Sequence, residues 1–414
     1  MRRFYALISV GALLGALSAC GGGGESEAGG PITLRMTTWS ANPAHVELFD
    51  AIAADYKATH PDVTVSFEAL PLESYTTTVT TQIAGGNPPD IAWILEGAAP
   101  DFVSSGALVP LDDSIEDTAD LAPAATALWK QDGKLMGYPF STSPFGVFVN
   151  TDLLKQAGQE LPSGTGWTWD SAVAVAGATA AKTGKQGLVI RDFDYKDWTN
   201  LATVFRGWGA EAWSADGKTC GFDQKPMTDA MTFLHRAIFT EKALPAPGVA
   251  ADFFAGESAM TIAQISRASL LKEAKFGWTL VPLPAGPAGS YSVIGQGGLG
   301  VLKKSEHAEA AADFVAFFTS PANSAKLAAF FPPPRQSQLT AETLAKANPL
   351  LKPDQLQDVV IDGIANGVVK PSHTGSAEIN QAVRSSLDPL WKADADVTGV
   401  LGGVCAAIQP LLAK

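Results

Sequence analysis

Residues 32–95 read ITLRMTTWSANPAHVELFDAIAADYKATHPDVTVSFEALPLESYTTTVTTQIAGGNPPDIAWIL, and strand-like and helix-like patterns alternate along this stretch. Segments rich in β-branched or apolar side chains predict strands at 32–38, 63–67 and 91–95. The segments between them predict helices at 44–59 and 75–84. This β-α-β-α-β order is typical of an α/β fold, in which helices cover both faces of a mostly parallel sheet.

The loops that follow the predicted strands are the first candidates for a binding site, because ligands of such sheets bind beyond the carboxyl ends of the strands. Trp39, Ser40 and Asn42 follow the first strand and combine an aromatic face with polar groups. Glu96 directly follows the third strand, where it suits either a ligand contact or a solvated loop charge. His45 begins the first predicted helix and is expected on its surface, with a ligand contact as the alternative.

The N-terminal residues have the pattern of a secretory signal peptide, predicted over 1–19. Arg2 and Arg3 precede an apolar run that is shorter than the ~20 residues needed to span a bilayer, and an anchor helix or a buried core helix is the alternative. Residues 17–20 resemble a lipobox, the motif of bacterial lipoproteins, which implies lipidation of Cys20. The glycine-rich residues 20–30 then predict a flexible tether.

The composition excludes several classes of protein. With 414 residues the chain has room for two or three domains of roughly 150 residues, and its 46% apolar content excludes a long disordered chain. The net charge is −13, and no strongly basic block offers a surface to nucleic acid. Cysteines and histidines lack metal-ligand spacing, and neither a nucleophile elbow nor a zinc-protease motif occurs. We therefore expect no enzyme, no metal, no cofactor and no nucleic-acid partner.

One glycine-rich segment has the formal spacing of a dinucleotide-binding fingerprint, with Gly295, Gly297 and Gly300 as its glycines. That motif must open a helix, whereas the sequence continues in strand-like fashion through Val301. We interpret the segment as backbone that lines a cleft, with Gln296 and Gly297 as candidate ligand contacts.

A series of short motifs follows in one order along the chain: GGNPPDI at 85–91, GKLMGYP at 133–139, VNTDLL at 149–154, a Trp-Asp pair at 169–170, FAGESAM at 254–260, PLPAGP at 282–287, GQGGLGV at 295–301 and AAADFVAFFT at 310–319. This ordered set resembles the family 1 extracellular solute-binding proteins of bacterial sugar ABC importers, which are similar in build to maltose-binding protein. Each motif alone is weakly specific, and the resemblance to the family lies in the order of the motifs behind a lipobox.

The resemblance implies a two-lobed periplasmic-binding-protein fold, in which each lobe is a mostly parallel sheet flanked by helices. Crossings between the lobes are expected at 140–144, 289–293 and 332–335. The N-terminal lobe is then expected to comprise 31–140 and 293–332, and the C-terminal lobe 141–292 and 333–414. The implied function is capture of a carbohydrate in the interlobe cleft by hinge closure and delivery to the transmembrane permease subunits. The protein is expected to be a monomer, outside the cytoplasm, anchored to the membrane by lipid.

A sugar cleft needs flat aromatic rings for the apolar faces of the sugar and polar side chains for its hydroxyls. The candidate contacts beyond those above are Phe145, Trp198, Trp208, Trp213, Gln264, Ser266, Arg267 and Arg335. A core position is the alternative for each aromatic residue, and a surface salt bridge is the alternative for Arg335. The stacking residue that family members often carry near Gln264 is absent, which favours a more polar contact or a smaller sugar.

Other interpretations remain open from the sequence. An exported glycoside hydrolase, or a polysaccharide-binding surface lipoprotein, is the alternative function, because two catalytic carboxylates need not be near in sequence. Within transport, a polyol, amino acid or metal chelate is the alternative ligand. Cys220 and Cys405 are an even pair in an exported protein and favour a disulfide, although their sequence positions do not establish proximity.

Overall fold

The computed structural model describes residues 30–191, 197–246, 248–249 and 251–413. The predicted signal peptide, Cys20 and the tether up to residue 29 lie outside the described residues. Along the described part of the chain, none of the helices has the length and apolarity that a membrane span requires.

The N-terminal elements follow the pattern read from the sequence. They are β1 (Ile32–Thr38), α1 (Pro43–Thr59), β2 (Val63–Ala69), α2 (Tyr75–Ala84) and β3 (Ile91–Leu95). These bounds confirm the predicted elements to within two residues. Asn42 begins α1 because its side chain accepts a hydrogen bond from the Ala44 backbone N–H, and Pro43 occupies the first helical position.

The remaining elements alternate between helix and strand. Up to residue 301 they are α3 (Ala99–Ser104), α4 (Pro123–Thr126), β4 (Lys130–Gln131), β5 (Lys134–Leu135), β6 (Tyr138–Asn150), α5 (Thr151–Ala157), α6 (Trp169–Thr183), β7 (Gln186–Ile190), α7 (Ala202–Phe205), α8 (Lys225–Phe239), β8 (Ser258–Gln264), β9 (Trp278–Val281) and β10 (Val293–Val301). Thereafter they are α9 (Ala308–Phe318), α10 (Pro321–Leu327), α11 (Ala341–Ala347), α12 (Pro353–Gln355), a π-helical segment (Leu356–Ile361), α13 (Asp362–Asn366), β11 (Val368–Val369), α14 (Ser376–Leu387) and α15 (Val397–Leu412).

Two long strands join the two halves of the molecule. The strand order is β2-β1-β3-β10-β6-β8-β7, with β11 beside β10 and β9 beside β6. β2, β1 and β3 pair in parallel, as do β7 and β8, whereas β10 and β6 are antiparallel to each other. The first predicted crossing lies inside β6, the second leads into β10, and the third runs outside the named helices and strands.

Separate apolar cores lie on either side of these long strands. One contains Trp93 and Phe49 and is built on β1–β3 with α1 and α9. Another contains Trp169 and Trp198 and is built on β6–β8 with α6, α8 and α15. A smaller cluster around Phe148 packs against β9 and the π-helical segment. The architecture is therefore a two-lobed α/β fold, which confirms the predicted fold class.

The C-terminal helix is attached to the second core by covalent and polar contacts. Cys220 and Cys405 form a disulfide bond. Gln409 on the same helix accepts from the Cys220 backbone N–H at 2.9 Å and donates to the Lys218 carbonyl at 2.7 Å. These contacts hold α15 against the loop that precedes α8.

Candidate binding site between the lobes

Several of the predicted ligand contacts follow the carboxyl ends of strands in both lobes. Trp39 and Ser40 follow β1, and Glu96 follows β3, all in the first lobe. Ser266 and Arg267 follow β8 in the second lobe, and the Ser266 backbone N–H donates to Ser143 Oγ on β6 at 3.2 Å. These predicted residues therefore lie at strand ends, Trp39, Ser40 and Glu96 in the first lobe and Ser266 and Arg267 in the second.

An ion cluster of Glu96, Asp197 and Lys370 joins the two lobes. Lys370 directly follows β11, and its Nζ lies 2.9 Å from Oε1 of Glu96 and 3.0 Å from Oδ2 of Asp197. Nζ also donates to Oδ1 of Asn200 at 3.2 Å. Lys370 is only 9% exposed, so the side chain is surrounded by its partners rather than by water. Glu96 comes from the first lobe and Asp197 from the second, and Lys370 thus joins the lobes.

The charges in this cluster stabilise one another. Burial alone would lower the pKa of Lys370, but the carboxylates of Asp197 and Glu96 outweigh burial and raise it. Burial would raise the pKa of Asp197, and the Lys370 ammonium with the Thr199 hydrogen bonds lowers it below its ordinary value. Lys370 is therefore a cation, and Asp197 an anion, at neutral pH.

Two tryptophans form an aromatic wall in the first lobe. The rings of Trp39 and Trp93 lie 4.9 Å apart and are tilted by 53°. The Nε1 atoms of both are buried, and within the described residues neither has a hydrogen-bond partner. A buried donor without a partner costs roughly 1–3 kcal/mol. Trp39 is partly exposed, so its N–H is the one suited to a ligand or water, whereas Trp93 is fully buried with its Nε1 against Gly297.

His45 is buried in the first lobe, although the sequence predicted a surface residue. It is 8% exposed, and its Nδ1 lies 2.8 Å from Ser40 Oγ. Burial, and then the charge of Arg267, lower its pKa from 6.5 to about 4. Asn42 is occupied in capping α1.

Gln296 and Gly297 support the aromatic residues. Gln296 is 3% exposed, accepts from Trp129 Nε1 at 3.3 Å and donates to the Ala125 carbonyl at 2.9 Å. A Cβ at Gly297 would collide with Nε1 of Trp93. Gln264 occupies the equivalent space beside Gly295. The room left by these glycines is filled by protein side chains.

Two of the predicted aromatic contacts, Trp198 and Phe145, are buried in the second core, and Trp208 and Trp213 are partly buried and pack against it. Trp198 is 2% exposed and donates from Nε1 to Asn380 Oδ1 at 2.9 Å. Trp208 packs against Phe233 with ring centres 4.7 Å apart, and Trp213 packs against Trp198 at 6.1 Å. Phe145 is buried, with its ring 6.0 Å from Lys370 Nζ. Trp198 and Phe145 thus occupy core positions, which was the alternative interpretation, because a turn-like sequence does not determine burial.

Arg335 fastens the third crossing rather than forming a surface salt bridge or an open fork. It is 3% exposed, and its terminal nitrogens donate to the carbonyls of Glu116 and Asp117 at 3.5 and 3.4 Å. Its Nη1 also lies 3.9 Å from Asp120 Oδ2. The guanidinium is thus turned toward the loop at 116–120.

Lys370, Asp197 and Asn200 are the site residues that sequence reasoning missed. Asp197 and Lys370 lie far apart in the chain, and a short strand gave no periodic signal for Lys370. The only available sign was a lysine directly after an apolar pair. Among the described residues, no cluster of His, Cys, Asp and Glu suits a metal ion.

Comparisons with known proteins identify one family of bacterial binding proteins. A model of the bacterial extracellular solute-binding protein family matches residues 42–325. An uncharacterized lipoprotein from Streptomyces antibioticus is 25% identical over 342 residues, which cover 78% of this chain and 74% of that protein. An arabinooligosaccharide-binding protein from Halalkalibacterium halodurans is 25% identical over 298 residues, covering 67% of this chain and 66% of that protein.

A solved structure shares the whole fold. The cyclic alpha-maltosyl-1,6-maltose binding protein from Arthrobacter globiformis superposes with a TM-score of 0.80 at 20% identity. The match covers 93% of this chain and 100% of that one. At this identity the likeness establishes the two-lobed fold and leaves the ligand to be argued from the site.

Proposed function

This chain belongs to the bacterial extracellular solute-binding proteins, and from that premise we propose that it captures a carbohydrate between its lobes for an ABC importer. The bound sugar is then delivered to the transmembrane permease subunits. The names of two similar proteins support a sugar as the ligand, since one is called an arabinooligosaccharide-binding protein and the other a cyclic alpha-maltosyl-1,6-maltose binding protein.

The observation that carries this proposal is an ion cluster that joins the lobes at Glu96, with Trp39 at the end of the neighbouring strand. Trp39 supplies partly exposed ring surface and an N–H donor without a partner among the described residues. Glu96 and Asp197 supply carboxylate oxygens on opposite sides of the same region. Apolar sugar faces pack on rings, and sugar hydroxyls donate to carboxylates, so the two sets of groups match the two kinds of sugar surface.

Hinge closure provides the capture step in this proposal. We assign 31–140 and 293–332 to the N-terminal lobe, and 141–292 and 333–414 to the C-terminal lobe. Asp101 of the first accepts from the Gly375 N–H at 2.7 Å and from the Ser376 hydroxyl at 3.2 Å in the second. A sugar that touches both lobes has higher affinity for the closed state and therefore shifts the population toward it.

The proposed location is the outer face of the cell membrane. The lipobox-like residues 17–20 would give a lipid anchor on Cys20, and the tether would let a monomeric body reach the permease. A similar protein from Streptomyces antibioticus is described as a lipoprotein, which supports this location.

Calorimetry with a panel of neutral mono- and oligosaccharides tests the function. We expect one binding event per chain, a stabilising thermal shift and recovery of the sugar intact. Hydrolysed sugar would favour the glycoside hydrolase alternative. Binding of amino acids, polyols or metal chelates without any sugar would replace the ligand class.

A further inference from the structure

We propose that the cluster of Glu96, Asp197 and Lys370 makes the site reject acidic sugars and favour neutral sugars and, above them, sugars that carry an amine. This inference rests on the proposed function, since it names the charge class of the ligand bound at the same site.

Lys370 has no donor left for an anionic ligand. An ammonium group has three N–H donors. Its Nζ has acceptors on Glu96, Asp197 and Asn200, at 2.9, 3.0 and 3.2 Å. A carboxylate or phosphate on a sugar would have to displace one of these acceptors, and that would leave a protein carboxylate without its cation.

The cluster carries one more negative charge than positive charge. Glu96 and Asp197 are both paired with the single ammonium of Lys370. The side chains of Lys370 and Glu96 are only 10% and 13% exposed, whereas that of Asp197 is 40% exposed, so water screens the excess charge only in part. An acid group brought here adds an unpaired like charge, whereas a protonated amine supplies the missing cation.

Among the described residues, two further cations have partners outside the cluster. Arg335 is turned toward the loop at 116–120, and Arg191 lies 3.3 Å from Asp252 and over the ring of Phe254. His45 is neutral at pH 7 because its pKa is about 4. The positive charge of Arg267 helps to lower the pKa of His45, and the Asp101 carboxylate adds a negative charge at the lobe contact. Within the described residues, the cluster thus contributes a net negative charge where the two lobes are joined.

The test compares one sugar in three charge states. Glucose, galactose, arabinose and xylose oligosaccharides of one to four units are screened by calorimetry. The tightest neutral probe is then compared with derivatives in which a primary hydroxyl becomes a carboxylate or an amine. At low ionic strength we expect the carboxylate to bind at least about tenfold more weakly than the neutral probe, and the amine more tightly. A carboxylate that binds as tightly as the neutral probe overturns the inference.

Charge-removing variants locate the effect. Glu96→Gln and Asp197→Asn keep an oxygen acceptor for Lys370 and remove one negative charge, so each should raise the affinity for the carboxylate relative to the neutral probe by about threefold or more. Glu342→Gln removes the same charge from an exposed pair with Lys346 and should leave this ratio unchanged. An unchanged ratio in both cluster variants overturns the inference, and if either variant fails to fold, the three-probe comparison on the unmodified protein still decides.

Failure of the proposed function gives a different result. In that case no sugar in the panel binds, whatever its charge, and the inference falls with the function. If neutral sugars bind but the acidic derivative binds equally well, only the charge selection is wrong.

Discussion

Lys370 Nζ lies 2.9 Å from Oε1 of Glu96, and this ion pair joins the hinge side of the second lobe to the end of β3 in the first. Glu96 was expected from its position after a strand, but its partner was not. The pair thus connects Glu96, which the sequence predicted as a site residue, to Lys370, whose position becomes apparent only from the fold.

The first prediction concerns Lys370→Met. The change leaves Glu96 and Asp197 facing each other without a cation, and breaking a buried ion pair in this way costs about 3 kcal/mol of the free energy of unfolding. Urea unfolding at pH 7 measures the loss. Lys346→Met breaks an exposed pair with Glu342 and should cost less than about 1 kcal/mol. Equal losses in the two variants would contradict a stabilising role for the cluster.

The second prediction concerns the pH dependence contributed by His45. Its pKa falls from 6.5 in the unfolded chain to about 4 in the fold, so the unfolded chain takes up a proton first as the pH drops. The stability that depends on neutral His45 is therefore complete above pH 6.5 and is lost between 6.5 and about 4. His45→Gln should remove this component from a melting-temperature profile, whereas His235→Gln should retain it. A profile that is identical with and without His45 would exclude this account.

The third prediction concerns the glycines of β10. Gly297→Ala places a Cβ against Nε1 of Trp93, which is fully buried, so overpacking should cost roughly 1–3 kcal/mol of the free energy of unfolding. Gly402→Ala lies on the exposed face of α15 with no atom near its new Cβ, and alanine is the better helix former there. This control should gain up to about 1 kcal/mol. Chemical denaturation of both variants checks the opposite signs.

The sequence predicts best those structural features that depend on residues close together in the chain. β3 and α2 were predicted with the bounds found in the structure, because apolar runs and glycine stops are local properties. Glu96 was located by a rule about strand ends, which needs only the strand. Trp198 was misjudged as a cleft residue because a short 3₁₀ helix, Trp198–Leu201, looks like a turn in sequence but is buried in the core.

Long-range pairs were beyond such reasoning. Lys370 meets Glu96 only because β11 lies beside β10, and no spacing along the chain encodes that neighbour. Arg335 is likewise fixed by carbonyls of the loop at 116–120, so its buried state depends on a contact more than two hundred residues away in sequence.

The fourth prediction concerns the cysteines. In a Cys20→Ser chain that is denatured without a reductant, a thiol titration should find no free thiol, because Cys220 and Cys405 are bonded to each other. Reduction should lower the free energy of unfolding by about 2–5 kcal/mol, since α15 then loses its covalent attachment. Two free thiols in the unreduced sample would show that the pair is not formed.

The fifth prediction separates a ligand-facing tryptophan from a core one. Trp39 is half-buried with an unpartnered Nε1, so Trp39→Phe keeps much of its packing but removes the N–H donor. We expect sugar affinity to fall about tenfold with less than about 1 kcal/mol lost from the free energy of unfolding. Trp198→Phe removes the bond to Asn380 inside the core and should lower stability while affinity stays within about twofold. Calorimetry and urea unfolding on both variants give the comparison. A Trp39 variant with unchanged affinity would show that the Trp39 indole does not contact the sugar, because it combines an unpartnered donor with partial exposure.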